Sequence, residues 1–517
     1  MKSLFKNVVV ILIFSIITRF IGFFFRIYLS RTIGSVALGQ YQVSFSVFMV
    51  LLTIVASGLP FVISRLTAGF IAKGDKKSEA KIVSAGLIIG LVLSGLLCLL
   101  VVLFIPVLKH IFADEICITL LLILLPALVF SSVYSVIRGN IWGHNNYFVL
   151  SMTELFEQVV RVIIFVILIS GVLGFKNGAV ISSVSMSVAC LLSSALVVVI
   201  YLCKGGKFSF KKNRPMYKEL IKKSAPITGV RIAGSLIQPL IALIIPLRLV
   251  SAGYTSAQAL ALYGVAMGMT IPFLYIPSTI TGSLSTALVP DLSSALVKND
   301  MTYIKNRIIS AIKITIFISV LFIPLYIGAG EVVGEFFYDN VTSGVLLAKS
   351  AWIMLPLGLT NISSSLLNSL GYEVKSLKNY VLGAIILILS IWFLPKYIGI
   401  DALIWGFGIL FSIASVLNIR MLKRIVGQKL NISKFLIFSV LFIIPSASIC
   451  SLLCNLCVNF MPKFFALAIS CSVGCLFYVA LCFVFNLLEF NAVKVWVKNK
   501  VNKKFFKRKK KKRRVAN

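Results

Sequence analysis

Acidic residues and histidine are scarce in this chain: 15 Asp and Glu and two His stand against 51 Lys and Arg in 517 residues. So few carboxylates leave no paired acids in a loop for general acid–base work, and no His, Cys and Asp spacing suited to a metal. The Gly-rich phosphate loop of ATPases, the HExxH zinc helix and the nucleophile elbow are absent as well. We therefore expect no enzyme, no catalytic residue, no cofactor and no metal. Charge of either sign makes up only 13% of the chain, against 59% hydrophobic residues and a mean hydropathy of +1.03. These values exclude a soluble domain. No ten-residue alternation of apolar and polar positions is found, which excludes a transmembrane barrel.

What is present is a series of apolar runs of about 18 to 25 residues, the length that crosses a hydrocarbon core of roughly 30 Å as a helix. Fourteen spans are predicted, making this an all-α polytopic membrane protein. The first seven are 8–29, 42–63, 82–107, 116–137, 148–171, 178–202 and 225–250. The others are 259–289, 308–330, 346–370, 379–395, 401–419, 435–457 and 464–486. No connection between them is long enough for a separate catalytic domain. The first span carries Arg19 and Arg26 and lacks a small-residue cleavage site, so it is expected to remain as a helix rather than leave as a signal peptide.

A net charge of +36 would point to nucleic acid in a soluble protein. Here its placement along the chain answers a different question. The odd-numbered connections hold five Lys and Arg, whereas the N-terminus, the even-numbered connections and the tail hold about thirty-nine. By the positive-inside rule both termini face the cytoplasm and the chain lies in the cytoplasmic membrane. The connection 331–345 carries Glu331, Glu335 and Asp339 with no Lys or Arg, which suits the outer face. The tail from Lys494 to Arg514, with the run KKFFKRKKKKRR from Lys503, is expected to lie on anionic lipid headgroups. Each basic residue near that surface is worth about 1 kcal/mol. Nothing beside the run could read bases, so no nucleic-acid partner is expected.

Residues 1–200 echo the chain from 225 onward. At a shift of 222, Arg26 falls on Arg248 and Gln40-Tyr41 on Leu262-Tyr263; at a shift of 225, Lys73 falls on Lys298 and Asp75 on Asp300. Both shifts correspond to six spans. Six is even, so the halves are parallel repeats about an axis normal to the membrane. The expected organisation is an N-terminal lobe (1–203), a basic cytoplasmic linker (204–224), a C-terminal lobe (225–422), two appended helices (423–487) and a basic cytoplasmic tail (488–517). Two facing six-helix bundles create a central cleft, the place where alternating-access transporters bind.

Ionisable residues inside a membrane cost roughly 2.5–3.5 kcal/mol each at the helix centre, so each needs a reason. Those within the spans are Arg19, Arg26, Glu154, Glu157, Arg161, Arg231, Arg248, Lys313 and Lys349. Arg19 and Arg26 lie two turns apart on one helix face. Glu154, Glu157 and Arg161 share a face of the fifth span, and Glu157 and Arg161 have the favourable i to i+4 order for an ion pair. That trio reads either as a coupling cluster or as a structural one. Over the first, fifth and seventh spans, Arg19, Arg26, Arg161, Arg231 and Arg248 outnumber the two glutamates, so the cleft is net positive. Arginine suits bidentate recognition of phosphate, which makes Arg19, Arg26, Arg248 and Arg231 the expected contacts to an anionic, phosphate-bearing substrate. Cys450, Cys454, Cys457, Cys471 and Cys475 recur at helical spacing without His or carboxylate nearby and read as small-residue packing.

The segment ITRFIGFFFRIYLSRTIG, the run ASGLPFVISRL, IRGNIWGHNNYF followed by TELFEQVVRV, and APITGVRIAGSLIQPL through LYGVAMGMTIPFLYIPSTITGSLSTALVPDLS resemble the polysaccharide-export branch of the MOP flippase superfamily. The resemblance covers roughly residues 1–430 and is nearest to the sporulation members of that branch, relatives of the MurJ-type lipid II flippases. It implies a V-shaped pair of six-helix lobes around a central cavity and a lipid-linked oligosaccharide substrate. For the sporulation members it implies flipping of undecaprenyl-pyrophosphate-linked lipid II for spore cortex peptidoglycan. In MurJ-type flippases, arginines of helices 1 and 8 line the cavity, which implies that role for Arg19 and Arg26, with Arg248 near the helix 8 position. Ile27 stands where those flippases carry an Asp. Two other readings stay open: a flippase for another lipid-linked polysaccharide, and a non-transporting scaffold whose basic tail docks cell-wall synthesis enzymes.

Overall fold

The computed structural model describes residues 2–171, 177–209, 214–297, 300–427, 432–485 and 487. The basic tail 488–517, residues 210–213 of the expected linker and Lys176 lie outside the described residues. Among the described residues 90% lie in helices and none in a strand. Among the described residues, twelve helical stretches are long and apolar enough to cross a membrane. The chain is a multi-pass membrane protein.

The N-terminal helices are α1 (Lys2–Ala56), α2 (Leu59–Ala72), α3 (Lys76–Leu103), α4 (Ile105–Ile111) and α5 (Glu115–Gly143). They are followed by α6 (Tyr147–Ile169), α7 (Gly178–Cys203), α8 (Arg214–Ser235), α9 (Ile237–Ser251) and α10 (Ser256–Tyr263). After a π-helical turn at Gly264–Thr270 come α11 (Ile271–Leu274), α12 (Ile276–Val297), α13 (Met301–Tyr338), α14 (Val341–Ser350) and α15 (Met354–Ser369). The remainder is α16 (Glu373–Phe393), α17 (Pro395–Ile398), α18 (Asp401–Val426), α19 (Ser433–Leu441), α20 (Ile443–Val458) and α21 (Lys463–Val484).

Short polar residues set the helix starts. Asp75 accepts from the Ser78 N–H at the head of α3, Asp114 from Ile116 at α5, Asn146 from Val149 at α6 and Asn177 from Ala179 at α7. Thr255 and Gln258 close a reciprocal capping box on α10. Within the helices, serines return their hydroxyls to backbone carbonyls one turn back, as Ser44, Ser84 and Ser470 do. Hydroxyls are thereby satisfied where no water reaches.

Several connections differ from expectation. The loop expected at 30–41 is helical: α1 runs on to Ala56 and is broken only at Gly34, whose φ of 78° and ψ of 172° no residue with a Cβ adopts readily. One glycine turns the chain, so no extended loop is needed. The acidic connection 331–345 is also mostly helical, with α13 reaching Tyr338 and α14 starting at Val341; Asp339 takes a positive φ of 52° at the turn. The eighth span, expected as one helix over 259–289, is interrupted by the π-helical turn and again near Tyr275. The linker expected at 204–224 is helical from Arg214.

Two compact units are present. The first comprises Met1–Phe273, Phe337–Leu346 and Gly383–Leu410. Its central helix is α5, which packs on α1, α2, α3 and α7. Leu59, Ile63, Ile82, Val136, Ile137, Val197 and Leu220 form an apolar cluster there. Burial alone does not drive association in lipid, so close backbone approach matters. A Cβ on Gly39 of α1 would lie 1.9 Å from the Leu260 carbonyl oxygen of α10, and one on Gly264 would lie 2.3 Å from the Ser35 carbonyl oxygen. Glycine lets these two backbones touch.

The second unit comprises Leu274–Phe336, Leu347–Leu382 and Phe411–Asn517. Here α12 packs on α15 and α20 on α21. Asn418 of α18 is fully buried; its amide donates to Ser363 and Ser364 and its carbonyl accepts from Asn379, 2.9 Å away. Cys450 and Cys454 are fully buried and free, and Gly474 of α21 faces the Cβ of Cys450.

Candidate functional site

The arginines of α1 differ from each other in surroundings. Arg19 is exposed and has no hydrogen-bond or ion-pair partner among the described residues. Arg26, two turns further, is half-buried. It lies within electrostatic reach of Arg161, Tyr41 and Tyr338, all in the first unit.

Arg161 of α6 reaches α1 on the far side of the Gly34 turn. Its Nη2 donates to the Tyr41 hydroxyl at 2.6 Å. Its guanidinium lies 5.3 Å from the ring centre of Phe25 and 5.8 Å from that of Phe45, a cation held between aromatic faces. The Nε of Arg161 is buried without a partner, and so is the hydroxyl of Tyr338. Tyr338 is fixed by an edge contact of its ring with Phe273, centroids 5.7 Å apart, and Phe273 in turn meets Phe23 of α1.

The ion pair expected between Glu157 and Arg161 does not form: no contact within 4 Å joins them. Glu154 instead pairs with Arg138 of α5. Glu157 lies on the same face within electrostatic reach of both Arg138 and Arg161. Glu154 is thus directed toward α5 and Arg161 toward α1, with Glu157 within electrostatic reach of both arginines.

Arg248 of α9 is committed elsewhere. Its Nε donates to the carbonyl oxygen of Trp392 at 2.7 Å, and its guanidinium lies 4.8 Å from the centre of the Trp392 ring. Trp392 is in the last turn of α16, where carbonyls lack an intrahelical donor and the helix dipole favours a cation. Arg31 of α1 makes the same kind of contact, its Nε donating at 2.8 Å to the carbonyl of Phe337 in the last turn of α13. Arg231 of α8 is exposed and has no hydrogen-bond or ion-pair partner among the described residues. Lys313 lies 5.8 Å from the ring centre of Phe435 in the second unit.

Of the residues singled out in the sequence, the structure brings Arg26 and Arg161 together. It pairs Glu154 with a residue not anticipated, and leaves Arg19, Arg231 and Arg248 apart from that cluster. Arg138 was missed because it falls one position beyond the fourth expected span, where an arginine reads as an interfacial residue. Tyr41 was visible only as part of the repeat. Tyr338 lay unmarked in the acidic connection.

This all-helical, multi-pass arrangement is shared with solved membrane transporters. Its fold is that of the MOP superfamily. The structure matches that of the lipid II flippase MurJ in an inward closed conformation with a TM-score of 0.63 at 16% identity, covering 92% of this chain and 98% of that one. It matches an inward-facing multidrug resistance MATE family transporter of the MOP superfamily with a TM-score of 0.62 at 15% identity, covering 79% and 94%. Among sequences, stage V sporulation protein B of Bacillus subtilis (strain 168) is 27% identical over 398 residues, which is 74% of this chain and 76% of that protein. The chain belongs to the polysaccharide biosynthesis protein family, whose model matches residues 4–296.

Proposed function

We propose that this protein is a flippase that moves an undecaprenyl-pyrophosphate-linked cell-wall precursor, lipid II for the spore cortex, across the cytoplasmic membrane by alternating access. The observation that carries the reading is Arg26, half-buried in a membrane-crossing helix with no carboxylate paired to it among the described residues. A charge held there at a cost needs an anionic counterpart, and a pyrophosphate arriving with its lipid supplies one. The likeness to stage V sporulation protein B and to a lipid II flippase structure supports the cargo.

In this reading Arg19 meets the diphosphate first, from its exposed position, and Arg26 receives it. Arg248 joins on leaving Trp392, and Arg231 lies along the same route. Fourteen crossings are counted: α1 and α2 supply two, separated at Gly34, and α6 supplies one despite Glu154, Glu157 and Arg161. Both termini are then cytoplasmic, the lobes are 1–203 and 225–422, and the basic tail lies on anionic lipid.

Reconstitution in liposomes with labelled lipid II and one competing polyprenyl glycan tests the proposal. Transfer of lipid II between leaflets, abolished by Arg26→Ala at unchanged membrane abundance, is expected. Transfer of only the competing glycan would replace the cargo, and transfer of neither would overturn the flippase reading.

A further inference from the structure

We propose that Arg26, Arg161, Tyr41 and Tyr338 form one binding site for a phosphoryl oxyanion. The proposal rests on the reading of Arg26 as a phosphate contact and extends it to three residues that reading does not use.

These four side chains hold donors without acceptors. A guanidinium donates five hydrogen bonds and accepts none. Arg26 has no hydrogen-bond or ion-pair partner among the described residues, and a second guanidinium and two phenols lie within electrostatic reach of it. Arg161 spends one N–H on the Tyr41 hydroxyl, which leaves that hydroxyl's own proton to be given away. Its Nε–H and the Tyr338 O–H are buried and unpartnered. Native interiors rarely leave such groups unmet, because each orphan carries the full cost of its desolvation. The nearest carboxylate, Glu157, is not in contact with Arg161 and does not face Arg26.

Two guanidiniums close together repel unless something negative lies between them. A phosphoryl group has the required features: two or more charged oxygens, several lone pairs and a size that two arginines can share. The aromatic setting favours it further. Phe25 and Phe45 hold Arg161, and Phe273 holds Tyr338, so the donors are positioned before any ligand arrives. The two tyrosines also distinguish this site from a simple patch of positive charge, since a phenol adds a directed O–H without adding repulsion.

The test uses the full chain in lipid nanodiscs and reads the thermal unfolding midpoint against added inorganic pyrophosphate. Wild type is expected to show a saturable rise. Tyr338→Phe keeps the ring on Phe273 and removes only the hydroxyl, so it is expected to fold as wild type and to weaken binding about tenfold. Arg161→Lys keeps the charge, loses the fork and is expected to weaken binding by at least as much. Undecaprenyl phosphate and undecaprenol, added to the nanodisc lipid, separate the sources of the anion. Competition by the phosphate alone assigns the site to a lipid headgroup, and lack of competition assigns it to a free phosphate; either result supports the site. Equal binding by wild type and both variants, or no binding by wild type, overturns it. Failure of the site is distinct from failure of the flippase reading. Unchanged pyrophosphate binding by both variants, in a protein that transfers lipid II, would remove the site and leave the transporter. Binding that depends on both residues in a protein that moves no polyprenyl lipid would do the reverse.

Discussion

Arg248 shows how a charged residue in a membrane helix can be satisfied by something other than a charge. Its guanidinium caps the last turn of α16 through the Trp392 carbonyl and lies over the Trp392 ring. The two contacts can be separated. Trp392→Leu removes the ring but retains the carbonyl, and is expected to lower stability by about 0.5–1 kcal/mol, the worth of an exposed cation–π contact. Arg248→Ala removes both contacts and leaves the helix end open, with an expected loss of about 2 kcal/mol. Thermal unfolding of the two variants in one detergent compares them; equal losses would show that the carbonyl contact contributes nothing. This residue also marks the limit of what the sequence discloses about the site. Arg26, Arg161 and Arg248 are legible because a charge within an apolar run stands out on cost alone. Their partners are not. Tyrosine does not stand out in an apolar run as a charge does, so Tyr338 leaves no signal and Tyr41 only its repeat match, and a backbone carbonyl has no residue type at all.

At the scale of the element, Gly34 decides how α1 is used. With φ at 78° and ψ at 172° it occupies a region open essentially to glycine alone. Gly34→Ala is therefore expected to cost about 1–3 kcal/mol, although nothing lies within 4 Å of the added methyl group. Gly69 of α2 is the control: it is helical, it also has open space around it, and Gly69→Ala is expected to stabilise by about 0.5–1 kcal/mol. Opposite signs for the two substitutions in thermal unfolding would confirm that backbone conformation, not packing, is at work. The existence of the helices was readable from hydropathy because only helices and closed barrels satisfy their backbones in lipid. The turns at Gly34 and Asp339 were not. A run of polar residues such as Ser30 to Thr32 looks like a loop in one dimension, yet a helix can carry it, with Ser30 buried and Arg31 and Thr32 exposed, and turn on a single glycine.

For the whole molecule, the distribution of charge separates transporter from scaffold. The basic tail lies beyond the last described helix, and in the transporter reading it adds membrane attraction without taking part in translocation. Deleting residues 494–517 is expected to leave lipid II transfer in liposomes unchanged. Loss of cortex synthesis in cells, with transfer by the purified protein intact, would show that the tail recruits other proteins. The sequence predicts two halves from offsets of 222 residues, which pairs Arg26 with Arg248, and 225, which pairs Asp75 with Asp300. The compact units follow different boundaries, since 337–346 and 383–410 group with the N-terminal helices. Sequence repeats record ancestry, whereas compactness records which segments touch in one conformation.

The arginine caps on α13 and α16 have a genetic consequence. Arg31 and Arg248 each donate to a main-chain oxygen, which every substitution at position 337 or 392 preserves. A screen that pairs loss of either arginine with compensating changes at its neighbour would return nothing from those codons. Suppressors would have to arise elsewhere, by placing a new donor at the same helix end. Covariation between positions 31 and 337 would be silent for the same reason, whereas the ring under Arg248 leaves position 392 a side-chain signal.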